Sequence, residues 1–99
     1  MAVKPAPEGY HSLTPYLNVR NATRAIEFYK MVFGAVEKLR LDMPGGQVAH
    51  AELQIGDSVL MLADESPEWN NRSPETVGGT ATGVMVYVDD ADTIFNRAI

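Results

Sequence analysis

The sequence predicts an α+β fold in which a β-α-β-β-β module forms a cupped mixed sheet. One segment, residues 21–34, has apolar residues at helical spacing, whereas the segments on either side of it alternate between apolar and polar residues. The start of this pattern returns 69 residues later along the chain. With 99 residues, 45% of them hydrophobic, the chain is large enough for one small domain with its own core.

The module begins with a strand and a helix. Residues 1–9 are predicted to be an N-terminal arm, because Pro5, Pro7 and Gly9 interrupt any regular pattern. Residues 11–19 alternate, so they predict a strand, and Pro15 indicates an edge position or an irregular start. The helix over residues 21–34 would be capped by Asn21 at its start and by Gly34 after its end. Its apolar positions are Ala22, Ala25, Ile26, Tyr29, Val32 and Phe33.

Three further strands are predicted over residues 35–43, 46–57 and 58–65. The third strand, GQVAHAELQIGD, alternates almost strictly. One face of that strand would carry Ala49, Ala51, Leu53 and Ile55, and the other face His50, Glu52 and Gln54. Residues 10–65 therefore read as one complete module.

The rest of the chain predicts a linker and the start of a second module. Residues 66–81 are rich in Ser, Pro, Asn and Gly, which is typical of a loop. Residues 82–99 then repeat the first strand and helix, with Asp89 or Asp90 as the helix cap. A lone module leaves a sheet face and an edge uncovered. We therefore expect a homodimer, with strand or module exchange, unless the sequence is a fragment of a longer domain.

Several classes of function are excluded by composition. The formal net charge is −5 and the basic residues are scattered, which argues against binding of nucleic acid. The chain has no Cys, so disulfides and Cys-based sites are ruled out. No apolar run is long enough to cross a membrane, so we expect a cytoplasmic protein without a membrane partner. No nucleophile elbow, phosphate-binding loop or dinucleotide fingerprint occurs.

Four phrases resemble a known family. TPYL (14–17), AIEFYKMVFGA (25–35), HAELQIGDSVLMLADE (50–65) and VYVDDAD (86–92) are similar to the vicinal oxygen chelate superfamily, and most of all to its PhnB-like branch. This superfamily contains glyoxalase I, bleomycin-resistance proteins and extradiol dioxygenases. The resemblance covers residues 10–99 and implies a glyoxalase/bleomycin-resistance-like fold of βαβββ modules.

The resemblance also implies where a metal would bind. Metal-using members take ligands from the first and fourth strands of each module, and the equivalent positions here are Thr14, Met61 and Gly83. The fourth position lies past Ile99. Hard or borderline divalent ions are bound by His, Glu and Gln rather than by such residues. We therefore expect no cofactor, with a divalent metal as the alternative.

The candidate ligand-binding residues are Thr14, Tyr16, His50, Glu52 and Met61. They would line the concave face of the sheet, where His50 and Glu52 supply polar contacts and Tyr16 an aromatic surface. The alternative for His50 is a structural or solvated side chain, since any half-exposed strand places polar residues in this way.

Three functions remain open. The first is binding of a small-molecule ligand without a metal, as in bleomycin resistance. The second is a metal-dependent lyase, isomerase or dioxygenase that uses His50 and Glu52. The third is an assembly domain without activity. Whether the chain is an enzyme is left open, and no catalytic residue is assigned.

Overall fold

The computed structural model describes residues 5–99, so the first four residues of the predicted arm lie outside the described part. Four strands form one mixed sheet in the order β1-β4-β3-β2. Their bounds are β1 Tyr16–Val19, β2 Val36–Asp42, β3 Val48–Ile55 and β4 Ser58–Asp64. The helices are α1 Ala22–Phe33, α2 Pro74–Val77 and α3 Ala91–Ala98. The predicted β-α-β-β-β order is confirmed.

Helix α1 begins and ends where the capping residues predict. The Asn21 side chain accepts a hydrogen bond from the Arg24 amide, and Gly34 follows the helix in the left-handed conformation at φ 66°. One stripe of the helix, which contains Ala22 and Ile26, is fully buried against the sheet. The helical spacing of apolar residues therefore translates directly into a packed interface.

Strand β3 lies inside the sheet and supplies much of the core. It pairs antiparallel with β2 on one side and with β4 on the other. Ala51 and Leu53 are fully buried on the face that packs against α1, and Leu62 of β4 joins them there. The alternation that the sequence predicts from residue 50 to residue 55 thus separates the core face from the opposite face.

The alternation fails at the start of β3. Leu41 pairs with His50 but Asp42 pairs with Val48, so Ala49 has no partner of its own in this register. This β-bulge reverses the side-chain alternation, and Val48, rather than the predicted Ala49, is fully buried in the core. The prediction for Ala49 was wrong because one extra residue in a strand cannot be seen in a period-two pattern.

Strand β1 is shorter than the predicted strand over residues 11–19. It begins only at Tyr16 and runs parallel to β4. Pro15 has no N–H to donate, although its carbonyl accepts a hydrogen bond from the Met61 amide at 3.0 Å. Leu13, which lies within the predicted strand but before β1, is 90% exposed.

The Asp64 carboxylate, at the end of β4, connects two other elements. One oxygen accepts a hydrogen bond from the Ala22 amide at 2.8 Å, and the other accepts from the Val48 amide at 2.7 Å. The first turn of α1 and the first residue of β3 are therefore both held to the end of β4. Both amides lie at element ends, where backbone donors otherwise lack a partner.

The predicted linker contains little regular structure. It includes a 3-10 turn over Pro67–Trp69 and the single turn of α2. Glu65 connects this segment to the module through hydrogen bonds. Its carboxylate accepts one from the Ser73 amide at 3.1 Å and one from the Thr76 hydroxyl at 2.6 Å. Arg20, which follows β1, contacts Glu65 at 3.2 Å.

The second repeat forms its helix but not its strand. Helix α3 starts at Ala91, 69 residues after the start of α1, and Asp90 rather than Asp89 provides the cap by accepting from the Thr93 amide. The strand expected at the start of residues 82–99 does not form in the structure, because residues 83–89 have no strand partner within residues 5–99. An extended segment becomes a strand only through such pairing. Within the same range, no helix has the length and apolar character that a bilayer crossing requires.

Candidate functional site

The face of the sheet opposite α1 carries the candidate residues. Cross-strand pairing places Tyr16, Met61, Glu52 and Leu39 in one row, and places His50 opposite Leu41. We call this surface, with Val36, the open face. Leu39 and Leu41 are 42% and 52% exposed. Strand β2 thus contributes apolar side chains to the open face, whereas β3 contributes the polar side chains of His50 and Glu52, with Gln54 opposite Val36.

Those polar groups form one continuous row of hydrogen bonds. The Tyr16 hydroxyl lies 2.9 Å from His50 Nδ1, and His50 Nε2 lies 2.7 Å from Glu52 Oε2. The Tyr10 hydroxyl donates to the other carboxylate oxygen, Glu52 Oε1. Residues from the arm, from β1 and from β3 thus meet at a single carboxylate.

The Glu52 carboxylate determines which atom donates and which atom accepts in each hydrogen bond of this row. An ionised carboxylate only accepts hydrogen bonds, so His50 Nε2 must carry the proton that lies between the two groups. In the neutral imidazole, Nδ1 is then an acceptor, and the Tyr16 hydroxyl donates to it. All three bonds therefore point toward Glu52.

The electrostatics agree with this assignment. The hydrogen bond from Tyr10 is the largest influence on Glu52, followed by that from His50, and together they hold the pKa of the Glu52 carboxyl below its ordinary value. Conversely, the same bond to Glu52 raises the pKa of Tyr10. Desolvation, followed by the Glu52 charge, raises the pKa of the Tyr16 hydroxyl. Both tyrosines are therefore proton donors near neutral pH.

Tyr10 is the member of the row that the sequence did not reveal. Its ring lies under the Lys38 ammonium, with Nζ 4.2 Å from the ring centroid, in a cation–π contact. The sequence shows Tyr10 only as the last residue of an irregular stretch, and nothing local connects it to Glu52, which lies 42 positions further along the chain. The aromatic residue itself, directly after an arm that contains Pro5, Pro7 and Gly9, was the one available signal.

A pocket of about 620 Å³ lies between the arm and the open face. Thr14, Glu52 and Met61 line it together with Tyr10 and other arm residues. The structure therefore brings three of the five predicted site residues to this pocket, while Tyr16 and His50 join it through the hydrogen-bonded row. The remaining superfamily position, Gly83, is exposed on the segment that follows the linker.

The side chains present do not fit a divalent metal. Of the positions that the resemblance implies, Thr14 and Met61 offer a hydroxyl and a thioether, and Gly83 offers no side chain. His50 and Glu52 are two suitable donors, but they are hydrogen-bonded to each other. Within residues 5–99, no three side chains of His, Cys, Asp or Glu are grouped so that they could hold a metal ion. Among residues 5–99, the three positions that the resemblance implies thus carry a hydroxyl, a thioether and no side chain, none of which is a usual ligand of a hard or borderline divalent ion.

Comparisons with known proteins agree on the fold. Two uncharacterized proteins, one each from Mycobacterium bovis and Mycobacterium tuberculosis, are 37% identical to the chain over 91 residues, which is 89% of its length. The chain spans 60% of the first protein and 54% of the second. The chain therefore spans less than two thirds of the length of these curated relatives.

Two solved structures resemble the chain, and each alignment covers 89% of this chain and 68% of the other. A gene product of Arabidopsis thaliana superposes with a TM-score of 0.65 at 20% identity, which shows the fold alone. TioX from Micromonospora sp. ML1 superposes with a TM-score of 0.59 at 26% identity.

A family model provides the most specific comparison, because it matches almost the whole chain. It describes the Glyoxalase/Bleomycin resistance protein/Dioxygenase superfamily and matches residues 9–98. The βαβββ order and the mixed sheet, both expected from the resemblance, are the architecture that this match requires. The chain therefore belongs to the glyoxalase/bleomycin-resistance/dioxygenase superfamily.

Proposed function

We propose that the chain binds a small, partly apolar ligand on the open face and does so without a bound metal. Sequestration of a ligand, as in bleomycin resistance, is the nearest concrete form of this function. The observation that supports it is the row of hydrogen bonds through His50 and Glu52, which lies beside the apolar side chains of Leu39, Leu41 and Met61. A few fixed polar groups among apolar ones are the usual composition of a small-molecule site.

The surroundings of the row favour a particular ligand chemistry. The Tyr16 ring and the Met61 side chain suit a flat, partly aromatic molecule. Glu52 is ionised and only 7% exposed, and the chain carries a net charge of −5. Because this field repels anions, neutral or cationic ligands are favoured over anionic ones.

A comparison of two methionines tests this proposal. Metal-free bleomycin and a panel of flat aromatic amines serve as probes in a thermal-shift screen, followed by calorimetric titration. Met61→Ala should weaken binding of any positive probe by about tenfold, through loss of about 1.4 kcal/mol of contact energy. Met31→Ala is the matched control, because Met31 is 64% exposed on α1, away from the open face. Failure of every probe, or equal binding by the two variants, would contradict the proposal.

Metal analysis separates this function from a metal-dependent lyase, isomerase or dioxygenase. Protein purified without chelator is expected to contain no stoichiometric divalent metal. If metal is present at one ion per chain and is lost in His50→Ala, the metal-dependent alternative replaces our proposal.

We further propose that the chain is a homodimer in the cytoplasm. Its support is the uncovered apolar surface of Val36, Leu39 and Leu41 together with the two sheet edges, β1 and β2, that have no neighbour within the described chain. Light scattering coupled to size exclusion should give twice the mass of one chain. A stable, well-folded monomer would refute the dimer. A dimer that binds none of the probes would instead favour the assembly function.

A further inference from the structure

Three side chains of the hydrogen-bonded row, Tyr16, His50 and Glu52, become less exposed to solvent in that order. Tyr16 is 47% exposed, whereas the His50 side chain is 24% and the Glu52 side chain 9% exposed. The outermost group is thus a hydroxyl, the middle group a base, and the innermost group a carboxylate that orients the base. A hydroxyl, a base within hydrogen-bond reach and a third group that holds the base are the parts of an activated nucleophile.

The side chains are positioned by different strands, so the arrangement is not a local accident of one segment. Tyr16 lies on β1, whereas His50 and Glu52 lie two residues apart on the same face of β3, with β4 between the two strands. The rings of Tyr16 and His50 lie 5.5 Å apart and are tilted by 35°.

The protonation of the row suits proton transfer from Tyr16. The phenol is protonated near neutral pH, because burial and the Glu52 charge raise its pKa, so it needs a base at the moment of attack. When His50 carries its proton on Nε2, its Nδ1 can accept the phenol proton, and Nδ1 lies 2.9 Å from the Tyr16 hydroxyl oxygen. The ionised Glu52 then stabilises the imidazolium that forms when the proton arrives.

We infer that Tyr16, His50 and Glu52 form a catalytic relay in which the Tyr16 hydroxyl attacks an electrophilic carbonyl, such as that of a small activated ester. In the first step Tyr16 Oη forms a bond to the acyl carbon, the bond between that carbon and the oxygen of the leaving group, such as a phenolate, breaks, and the phenol proton of Tyr16 passes to His50 Nδ1. His50 then gives that proton to the leaving oxygen. In the second step water attacks the acyl-Tyr16, which releases the acid and restores the phenol.

This activity goes beyond ligand binding and does not depend on it, since a two-carbon acyl group needs no extended pocket. The test therefore uses p-nitrophenyl acetate with the full chain, and follows release of p-nitrophenolate and acetylation of each tyrosine by peptide mass spectrometry. Tyr87, which is 91% exposed and makes none of the hydrogen bonds of the row, reports the reactivity of an ordinary tyrosine. Tyr16 should be acetylated about a hundredfold faster than Tyr87, the usual contribution of a positioned base.

Variants then assign the roles. Tyr16→Phe should abolish the fast release of nitrophenolate, His50→Gln should lower acetylation of Tyr16 by about a hundredfold, and Glu52→Gln should lower it as well. Tyr87→Phe is the matched control and should leave acetylation of Tyr16 unchanged. Circular dichroism and thermal unfolding confirm that each variant is folded.

Two results would overturn the inference. One is acetylation of Tyr16 at the rate of Tyr87, or at an unchanged rate in folded His50→Gln. The other is fast release that persists in Tyr16→Phe and disappears in His50→Gln, because His50 itself would then be the nucleophile. Neither result bears on whether the aromatic probes bind, so the two proposals can fail separately.

Discussion

Helices α1 and α3 share the repeated sequence pattern but differ in how much of their apolar surface is buried. Helix α1 buries Ala22, Ile26 and Val32, whereas α3, which starts at the equivalent position and is capped in the same way, buries no residue. Phe95, the counterpart of Ile26, is 64% exposed. An amphipathic pattern and a cap are therefore sufficient to form a helix, but burial of its apolar stripe requires strands beside it. Most of the stability of a helix in a protein comes from that packing.

The sharpest way to test this contrast is to truncate one apolar side chain in each region. Leu62→Ala removes a fully buried side chain from the sheet beneath α1, and it should lower the free energy of unfolding by about 2–5 kcal/mol. Phe95→Ala in α3 should change that free energy by less than about 0.5 kcal/mol, as for an ordinary surface position. Urea denaturation measures both. A cost at Phe95 comparable to that at Leu62 would show that α3 is packed after all.

A second comparison replaces one aspartate by asparagine in each region, Asp64 at the end of β4 and Asp90 at the start of α3. Asp64→Asn replaces an acceptor oxygen with an amide NH2 group that cannot accept from both the Ala22 and Val48 amides. The expected cost is about 2 kcal/mol, typical of hydrogen bonds to a charged group. The same exchange at Asp90 should be nearly neutral, because Asn caps a helix as well as Asp does. Denaturation midpoints at equal slope decide the outcome, and equal losses in the two variants would contradict this role of Asp64.

Acid should loosen the segment that joins the two regions. Thr76 first, and then the Ser73 amide, lower the pKa of Glu65 from 4.5 to about 2. Because the folded pKa lies below the unfolded one, ionised Glu65 stabilises the fold fully above about pH 4.5 and loses this effect as the pH falls toward about 2. The Tm should therefore fall less on acidification in Glu65→Gln than in the unaltered chain. Glu68→Gln, an exposed carboxylate of the same segment, controls for the lost charge, and identical pH profiles for all three proteins would refute the prediction.

The smallest effect is expected at the cap of α3. Asp90→Ala removes the acceptor for the Thr93 amide and should weaken the helix locally by about 1 kcal/mol. Because α3 contributes little buried surface, global unfolding should hardly change. Hydrogen exchange distinguishes local opening of α3 from global unfolding. The amides of α3 should lose protection, whereas those of β3 and β4 should keep theirs. Faster exchange in β3 would mean that the regions unfold together.

Much of the module could be predicted from sequence because its signals are local. The spacing of apolar residues in α1 and the caps Asn21 and Gly34 involve neighbours within a few positions, and all three predictions are confirmed. The same holds for the alternation of His50, Glu52 and their apolar neighbours in β3. Such patterns record which side of an element is buried without reference to the rest of the fold.

What could not be predicted depends on distant partners. The strand over residues 83–89 has the apolar composition of a strand but no neighbour to pair with. The bulge at Ala49 is set by the register between two strands rather than by the residues of either. The contact between Tyr10 and Glu52 joins the arm to β3 across most of the module. For the candidate site, the sequence identified His50 and Glu52, but the row that connects them to two tyrosines required the structure.

The parallel pairing of β1 with β4 has a consequence for synthesis of the chain. Strand β1 is made first among the strands of the module, yet β4, which alone pairs with it within residues 5–99, is made last. At translation rates of about 5–20 residues per second, β1 leaves the ribosome and waits several seconds before Ser58–Asp64 follows it. Helix α1 and the antiparallel β2-β3-β4 meander need no such delay, since each forms between adjacent segments. Assembly of the four-stranded sheet is therefore expected to finish with the strand that carries Tyr16, and the hydrogen bond between Tyr16 and His50 forms only once β4 is in place.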